Sequence, residues 1–183
     1  MKAPKEMGTK MEKSSRHSKV SGQFGEILVA YLLSKEGFEV AQVDHTGLDL
    51  LAVNARSKKR LGISVKNRTR DEKSANWPVH FPLEDLKRLR KACRIFSAEP
   101  FVAAVVDRPI DSSRWLTMWL MPLVRARTLK FNKQYGGVLA FAVTPSAEMH
   151  YQTLSDAYCA SWMQISTPRF KKMARGRPQP TKR

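Results

Sequence analysis

Two charged residues lie where the sequence predicts buried strands. Asp49 lies inside the apolar run over residues 47–53, and Lys66 ends a second apolar run over residues 61–66. Both runs have the length and composition of short buried strands, and a polar turn over residues 54–60 joins them. A carboxylate or an ammonium in such a strand costs free energy unless it is paired or serves a function. Asp49 and Lys66 are therefore candidate functional residues.

A third candidate, Glu26, lies upstream on a predicted helix. The helix pattern begins near Ser21, a plausible N-cap, and ends before Gly37. Glu26 shares a helix stripe with Val29 and Leu33, which favours a place among apolar neighbours. A helix-start carboxylate favoured by the helix dipole is the simpler alternative. Two carboxylates and a lysine at one sheet edge are suited to metal-assisted phosphodiester hydrolysis, in which the carboxylates hold Mg²⁺ and the lysine positions or activates water.

The same helix carries a second apolar stripe. Its members are Phe24, Ile27, Leu28, Tyr31 and Leu32. A helix that is apolar on two sides is expected to pack on two sides.

These residues resemble the motif of the PD-(D/E)XK nuclease superfamily, and within it the archaeal-type Holliday junction resolvases. The pattern there is a helix with an early Glu, a Gly-x-Asp strand, and a strand that carries Glu-x-Lys. Here Glu26, Gly47-x-Asp49 and Ser64-x-Lys66 match it, except that Ser64 stands where the family usually has Glu. The resemblance covers residues 21–122 and implies a restriction-endonuclease-like fold.

The resemblance also implies a ligand set and a cofactor. Glu26, Asp49 and the backbone carbonyl of Val65 would hold Mg²⁺, with Mn²⁺ as an alternative, and Lys66 would orient water or stabilise developing charge. Ser64 would occupy the position of the missing acid, and a hydroxyl binds Mg²⁺ far more weakly than a carboxylate does.

Two outcomes of the change at Ser64 are open. Asp44 or Asp71, each close in sequence to the site strands, could supply the acid from another position. Alternatively, the metal site is lost and the fold is kept for binding DNA.

The strongest signal in the composition is positive charge. The 183 residues include 33 Lys and Arg against 16 Asp and Glu, a net charge of +17. Residues 1–21 carry six basic and two acidic residues, and residues 168–183 carry seven basic residues and no acid. Basic tails on a mildly basic domain indicate a polyanionic partner, and DNA is favoured over RNA, a ribosome-associated role or an anionic membrane surface.

Two segments carry the candidate DNA contacts. The loop after Lys66 contains Arg68, Arg70 and Lys73 for phosphates and Trp77 for stacking on a base. In the C-terminal tail, Arg175-Gly176-Arg177-Pro178 matches the core of the AT-hook, so Arg175 and Arg177 are candidate minor-groove contacts. A solvated basic loop and a chance match are the alternatives.

Cysteine, histidine and hydropathy patterns exclude several classes. Cys93 and Cys159 are too few for a disulfide framework, and the four histidines have no zinc-ligand spacing. His45 lies in the turn before Asp49. It either has a functional role, in contacting phosphate or in proton transfer, or is a turn residue that faces solvent. No run has the length of a membrane span, and the N-terminus lacks a signal-peptide core, so a cytoplasmic, reducing location without a membrane partner is expected.

The order of predicted elements gives the fold class and the domain limits. We expect a basic disordered arm over residues 1–20, one domain over 21–167 and a basic tail over 168–183. The domain is predicted to be α/β, with a central mixed sheet flanked by helices. One helix is expected over residues 83–96 and a last helix over residues 154–165.

The sequence therefore favours a Mg²⁺-dependent DNA endonuclease that acts on branched or otherwise structured DNA. A catalytically inactive DNA-binding subunit with the same fold is the first alternative. An RNA- or ribosome-associated basic protein is the second. A homodimer is left open, because resolvases of the resembled type act as dimers.

Overall fold

A computed structural model describes residues 14–110 and 113–164, and the side chains as far as Trp162. The N-terminal arm as far as residue 13 and the C-terminal tail from residue 165 lie outside the described residues. The AT-hook prediction on Arg175 and Arg177 lies outside them as well.

The elements follow one another in the order expected of an α/β domain. Four α-helices are described: α1 (His17–Lys35), α2 (Leu83–Ile95), α3 (Leu123–Thr128) and α4 (Pro145–Gln152). The described strands are β1 (Glu39–His45), β2 (Leu48–Val53), β3 (Arg60–Thr69), β4 (Val79–Pro82), β5 (Glu99–Ile110), β6 (Ser113–Pro122), β7 (Lys133–Tyr135), β8 (Val138–Phe141) and β9 (Tyr158–Gln164). A short 3₁₀ helix spans Glu72–Ser74.

A six-stranded mixed sheet forms the centre of the domain, in the order β1-β2-β3-β5-β6-β9. β3 and β5 run parallel, and the other neighbouring strands run antiparallel. The predicted central mixed sheet flanked by helices is therefore confirmed. The helix α2 forms the crossover between the two parallel strands, as such a connection requires.

Alternation along the strands divides the core between the two faces of the sheet. Leu61, Ile63 and Val65 of β3 belong to one apolar cluster, together with Val29 and Leu33 of α1. The strand residues between them face α2 on the other side, where a second apolar cluster lies. This second cluster includes residues of the helices α3 and α4 and of the strands β4 and β8, which belong to a small antiparallel sheet in the order β4-β8-β7. The sheet is thus covered on both faces, which explains the nearly continuous apolar runs in β3 and β5.

Two sequence predictions of helix limits were wrong. The first helix begins at His17 rather than near Ser21, so residues 17–20 are helical and do not belong to a disordered arm. Arg16 occupies the N-cap position without a side-chain cap. Because α1 packs along β3, tertiary contacts stabilise this turn without a cap.

The predicted last helix over residues 154–165 is instead a turn followed by β9. The helix lies earlier, over Pro145–Gln152, where the Thr144 hydroxyl accepts a hydrogen bond from the Ala147 amide at 3.4 Å and Pro145 lies in the first turn. Tyr158 to Gln164 pair with Leu120 to Arg114 of β6. This segment forms a strand because it pairs with the open edge of β6, and the local periodicity of the sequence cannot predict such a long-range pairing.

No helix within residues 14–110 and 113–164 is both long and apolar enough to cross a membrane.

The turn between β1 and β2 lies against the backbone of α2. Gly47 has a φ of +90°, and a Cβ there would lie 2.5 Å from Arg88 Cβ and 2.9 Å from the Leu89 nitrogen. Glycine is therefore required both by the left-handed backbone and by the contact with the helix. This contact fixes the start of β2, and with it Asp49, relative to α2.

We expect Gly47→Ala to lower the free energy of unfolding by about 3 kcal/mol or more, because left-handed strain adds to a backbone clash. Gly136→Ala is the matched control: its φ is +51°, with nothing within 4 Å of an added Cβ. It should cost only about 1–2 kcal/mol. Urea unfolding measures both, and equal losses would contradict the close approach to α2.

Candidate functional site

The site lies where β2 and β3 stop pairing. The backbone register between them ends at Leu50 and Ile63, although β3 continues to Thr69. Val65 lies beyond that point, and its amide donates a hydrogen bond of 2.6 Å to Asp49 Oδ2. The Asp49 carboxylate thus takes the place of a strand carbonyl. Because the N–H and C=O of one strand residue point toward the same neighbour, the Val65 carbonyl faces the same gap as Asp49.

Glu26 reaches this gap from α1, which crosses the same end of β3. Gly25 allows the close crossing, since a Cβ there would lie 2.8 Å from Asn67 Cβ. Asn67 also donates a 2.5 Å hydrogen bond to the Ser21 carbonyl. The N-terminal half of α1 is therefore fixed to the end of β3, with Glu26 half-buried beside it.

The Glu26 and Asp49 carboxylates lie close enough for their charges to interact. Burial raises the pKa of Glu26 above its ordinary value, and the negative charge of Asp49 raises it further. A hydrogen bond from Gln42 Nε2 to Glu26 Oε2 at 3.4 Å acts in the opposite direction. A cation placed between the two acids would remove the repulsion that raises this pKa.

Lys66 lies on the α2 side of β3 and is held in an ion pair. Its Nζ lies 3.2 Å from Asp85 Oδ2, and both side chains are partly buried. Asp85 Oδ1 also lies 3.6 Å from Arg88 NH1. Sequence analysis did not identify Asp85 as a site residue. The available signal was an acid in the first turn of α2, a position that is common in helices of any function.

Ser64 lies on the same face of β3 as Lys66 and is buried, with 4% of its surface exposed. An acid there would lie two residues from Lys66 on the same strand. In this chain Asp85 supplies the opposite charge for Lys66 from α2 instead.

Asp71 and Asp44, the two acids that could replace the one missing at position 64, have different surroundings. Asp71 caps the 3₁₀ helix: its Oδ1 accepts hydrogen bonds from the Ser74 amide at 3.0 Å and the Ser74 hydroxyl at 2.6 Å. Asp44 is exposed at the irregular end of β1, and His45 beside it is exposed and packs edge-on against Phe96. Because Asp71 accepts both of these hydrogen bonds from Ser74, it has a structural role in the loop.

The oxygen atoms at the gap are of the kind that a hard cation such as Mg²⁺ prefers, but few of them are carboxylates. In the described part of the chain, no three His, Cys, Asp or Glu side chains lie close enough together to hold a metal ion. A cation at the gap would therefore depend on the Glu26 and Asp49 carboxylates, the Val65 carbonyl and water. All are oxygen donors, and Mg²⁺ commonly binds to one or two carboxylates while it keeps several waters.

The end of β3 and the loop after it present their basic residues in two ways. Arg68 on β3 is exposed, as are Lys73 and Trp77 on the loop, and Trp77 exposes 61% of its surface. Arg70 is half-buried, donates to the Pro78 carbonyl at 2.9 Å, and has a pKa lowered mainly by burial. Arg70 thus holds the loop closed, whereas the other three side chains are available to a partner.

Both cysteines are unsuited to nucleophilic chemistry. Cys93 is buried in the core, as predicted, with its Sγ 3.7 Å from the Gly62 carbonyl. Burial raises the pKa of each thiol to about 11, so both are protonated at neutral pH.

The comparisons with known proteins give a likeness among solved structures and none among family models or curated proteins. No protein-family model matches the sequence, and no curated protein matches it. Among solved structures, the chain is similar to Hjc, a Holliday junction resolvase from the archaeal hyperthermophile Archaeoglobus fulgidus. The identity is 22%, the match covers 69% of this chain and 85% of that chain, and the TM-score is 0.49. The function of the site therefore has to be inferred from its own residues.

The coupling of the two acids can be tested by titration. We expect Asp49→Asn to lower the pKa of Glu26, since it removes a neighbouring negative charge, and Gln42→Leu to raise it. Carboxyl ¹³C chemical shifts followed over pH measure both changes. An unchanged Glu26 titration in Asp49→Asn would show that the two carboxylates do not share a site.

Proposed function

We propose that this chain is a metal-dependent DNA endonuclease that hydrolyses phosphodiester bonds in branched or otherwise structured DNA. The observation that carries the proposal is the coupling of two carboxylates beside an open strand end. Asp49 is fixed by the Val65 amide at 2.6 Å, and its charge adds to the effect of burial in raising the pKa of Glu26. The resemblance of Glu26, Gly47-x-Asp49 and Lys66 to the PD-(D/E)XK motif supports the same chemistry.

The side chains at the gap have distinct tasks under this proposal. Glu26, Asp49 and the Val65 carbonyl would hold Mg²⁺ or Mn²⁺, which when bound supplies Lewis acidity toward a phosphate oxygen and a bound water. The hydrogen bond from Val65 orients Asp49 before any cation arrives. The half-buried Glu26 must lose any proton it carries, so cation binding should weaken as pH falls.

Lys66 would orient the attacking water or stabilise the charge that develops on the phosphate. Asp85 keeps its ammonium group at a defined position on the α2 side of the strand. A phosphate brought to the site would compete with Asp85 for this ammonium, and Arg88 gives Asp85 a second cationic partner. Asp85 is therefore proposed as the residue that positions Lys66.

DNA is the partner that the charge distribution favours. With a net charge of +17, the chain has a strong long-range attraction for a polyanion. The exposed Arg68 near the end of β3 and Lys73 on the loop that follows it would contact phosphates, and Trp77 would stack on an unpaired base. Arg70 would act indirectly by holding this loop. Arg175 and Arg177 would add minor-groove contacts from the tail.

A second candidate function is a DNA-binding subunit without nuclease activity. Ser64 favours it, because the site has one carboxylate fewer than the resembled motif provides. The ion pair of Lys66 with Asp85 also favours it, since a paired lysine is less available to the reaction. An RNA- or ribosome-associated protein would not need two mutually repelling acids, and the Glu26–Asp49 coupling has no explanation in that case.

Cleavage assays distinguish these functions. With Mg²⁺ or Mn²⁺, we expect the wild type to cut four-way or flapped DNA, and EDTA to abolish cutting. Asp49→Asn should reduce the cleavage rate at least about a hundredfold, because a metal ligand is lost. Its DNA affinity should be kept or raised, since a negative charge is removed from a phosphate site. Gel assays on labelled DNA and fluorescence anisotropy measure the two quantities.

Glu39→Gln is the matched control, because it removes an exposed carboxylate from β1 opposite Val53, at the far end of β2 from Asp49. It should cut like the wild type. Equal activity of Asp49→Asn and wild type would overturn the catalytic assignment. Tight DNA binding without cutting by the wild type, under any of these metals, would establish the inactive binder instead.

Restoring the missing acid is a separate test. Ser64→Glu should raise the affinity for Mg²⁺ or Mn²⁺ by about tenfold or more, because a carboxylate replaces a hydroxyl at the position where the resembled motif has its acid. Calorimetric titration with Mn²⁺ measures the affinity. Since Ser64 is buried, Ser64→Gln is the control that separates size from charge. Equal Mn²⁺ affinity in both variants would show that position 64 does not face the cation.

A further inference from the structure

A groove lies between α2 and α3, at the end of the sheet where β5 begins and β6 ends. Pro122, the last residue of β6, pairs with Phe101, so α3 starts beside the start of β5. The groove has a volume of about 560 Å³, which is within the range of ligand-binding clefts. We call it the α2–α3 groove, and its lining includes Arg90 of α2, Pro100 of β5, Leu123, Val124 and Arg127 of α3, and Gln134 of β7.

The floor of the α2–α3 groove is apolar and partly open to solvent. Leu123 is buried, Pro100 is half-buried, and Val124 exposes 70% of its surface. Within α3, Leu123 and Ala126 are buried against the core, so Val124 lies on the outer side of the helix together with Arg127, one turn further along. The exposed Val124 side chain is therefore available to an apolar group that enters the groove.

One arginine from each of the two helices borders this floor. Arg90 and Arg127 are both exposed, and within the described residues neither forms an ion pair. Arg127 makes only a weak hydrogen bond of 3.5 Å to Gln134 Oε1. Other basic residues of the same helices do have acidic partners, as in the pairs Lys87–Glu84, Arg88–Asp85 and Arg125–Asp156. The two guanidinium groups at the groove can therefore pair with acids of a partner.

Positive charge continues from the groove along α2. Arg94 lies one turn after Arg90, and Lys91 lies between them. Both Lys91 and Arg94 are exposed and form no ion pair within residues 14–110 and 113–164. The surface therefore combines an apolar floor with four basic side chains that have no acidic partner in the described part of the chain.

Charge excludes this chain itself as the source of the occupant. Residues 1–21 carry six basic residues against two acidic ones, and residues 168–183 carry seven basic residues and no acid. A second copy carries the same net charge of +17. All three would be repelled by the basic side chains around the groove. The occupant is therefore expected to be acidic and to come from another molecule.

The apolar floor favours a protein segment over a nucleic acid. Single-stranded nucleic acid is held by stacking of its bases on aromatic side chains, and none of the described residues that line the groove is aromatic. A phosphate backbone would pair with Arg90 and Arg127 but has no group to cover Val124. An acidic peptide with a large apolar side chain satisfies both parts of the surface.

We propose that the α2–α3 groove is a docking site for an acidic segment of a partner protein, in which carboxylates flank one or two large apolar side chains. The apolar side chains cover Pro100, Leu123 and Val124. The flanking carboxylates pair with Arg90 and Arg127, because a planar guanidinium can donate two parallel hydrogen bonds to one carboxylate. Further acids of the segment lie along Lys91 and Arg94 on α2.

The exposure of the groove sets the expected affinity. Ion pairs between exposed side chains each contribute little free energy, and the floor has room for only one or two apolar side chains. We therefore expect a dissociation constant of about 10–100 μM for a short peptide at low salt. Added salt should weaken binding because it screens the ion pairs, but the apolar contact should leave measurable affinity.

The docking site does not depend on the proposed nuclease activity. Pro100 pairs with Gly62, whereas Lys66 pairs with Ala104, four residues further along the same two strands. The groove is therefore roughly 13 Å along the strands from the level of Lys66. Asp49→Asn should bind the peptide as the wild type does, so failure of one proposal leaves the other standing.

Two labelled peptides of equal charge test the floor on the wild-type chain. One has the sequence Glu-Asp-Leu-Phe-Asp-Glu, and in the other both apolar residues are replaced by serine. Fluorescence anisotropy measures their affinities, and the serine peptide should bind at least about fivefold more weakly because it buries no apolar side chain. Equal affinities, or no binding of the first peptide at about 1 mM, would overturn the proposal.

Val124→Ser tests the same contact from the side of the protein. It should weaken binding of the Leu-Phe peptide about threefold or more and leave the serine peptide unchanged, since it removes apolar contact and no charge. An equal effect on both peptides would contradict the assignment of Val124 to the floor. Val124 is exposed, so the midpoint of urea unfolding should stay that of the wild type.

Charge reversal tests the two arginines. Arg90→Glu and Arg127→Glu should each weaken binding of the Leu-Phe peptide at least about tenfold, because attraction becomes repulsion. Lys19→Glu is the matched control, since it makes the same change of charge at an exposed position on α1, which packs on the other face of the sheet. It should change the affinity less than about twofold. Equal losses in all three variants would reduce the effect to net charge and overturn the docking site.

Two further measurements separate the other occupants. The same variants are tested for binding to a labelled DNA duplex by anisotropy, and for self-association by sedimentation equilibrium. Groove variants that lose DNA affinity while peptide affinity is unchanged would assign the groove to nucleic acid. Groove variants that change only self-association would assign it to a second copy. Either result would overturn the proposal.

Discussion

The hydrogen bond between the Val65 amide and Asp49 is the interaction on which the arrangement of the site depends. A strand that continues past the end of its partner leaves backbone amides that must be satisfied. Asp49 satisfies one of them with a side-chain oxygen instead of a ladder carbonyl. A charge-assisted bond of this kind is stronger than a neutral one. The carboxylate is thereby fixed at the gap where the two strands separate.

The remaining charges of the site follow from that position. The negative charge of Asp49 adds to the effect of burial and raises the pKa of Glu26 on α1. On the other side of β3, Lys66 is balanced by Asp85. Within the described residues, neither acid of the gap forms an ion pair with a lysine or arginine, whereas Lys66 has a fixed anion. The uncompensated negative charge of the two acids would attract a cation to the gap, and the proposed metal chemistry depends on that attraction.

The two sides of α1 have different surroundings. One side fixes Glu26 beside the end of β3 through the contacts of Gly25 and Asn67. The other side presents apolar side chains to solvent, among them Phe24, Ile27 and Tyr31. The position of Glu26 at the gap therefore depends on how closely α1 crosses β3.

The sequence by itself identified candidate site residues and most of the strands and helices around them. Apolar runs predicted β2 and β3, helix periodicity predicted α2, and charge predicted a polyanionic partner. Asp49 and Lys66 could be identified because a charge in an apolar run is rare. Gly47 was noted within its motif, although the sequence did not say that α2 lies 2.5 Å from its missing Cβ.

Tertiary structure decided what local patterns do not encode. The segment after residue 154 has a helix-like pattern but pairs with β6, because an open strand edge offers more stabilisation than an isolated helix does. Asp85 became the partner of Lys66 only through the packing of α2 on β3. The exposure of Phe24, Ile27 and Tyr31 depends on how much of α1 the sheet covers. Periodicity reports that a face is apolar, but only the packed fold shows whether the same chain buries it.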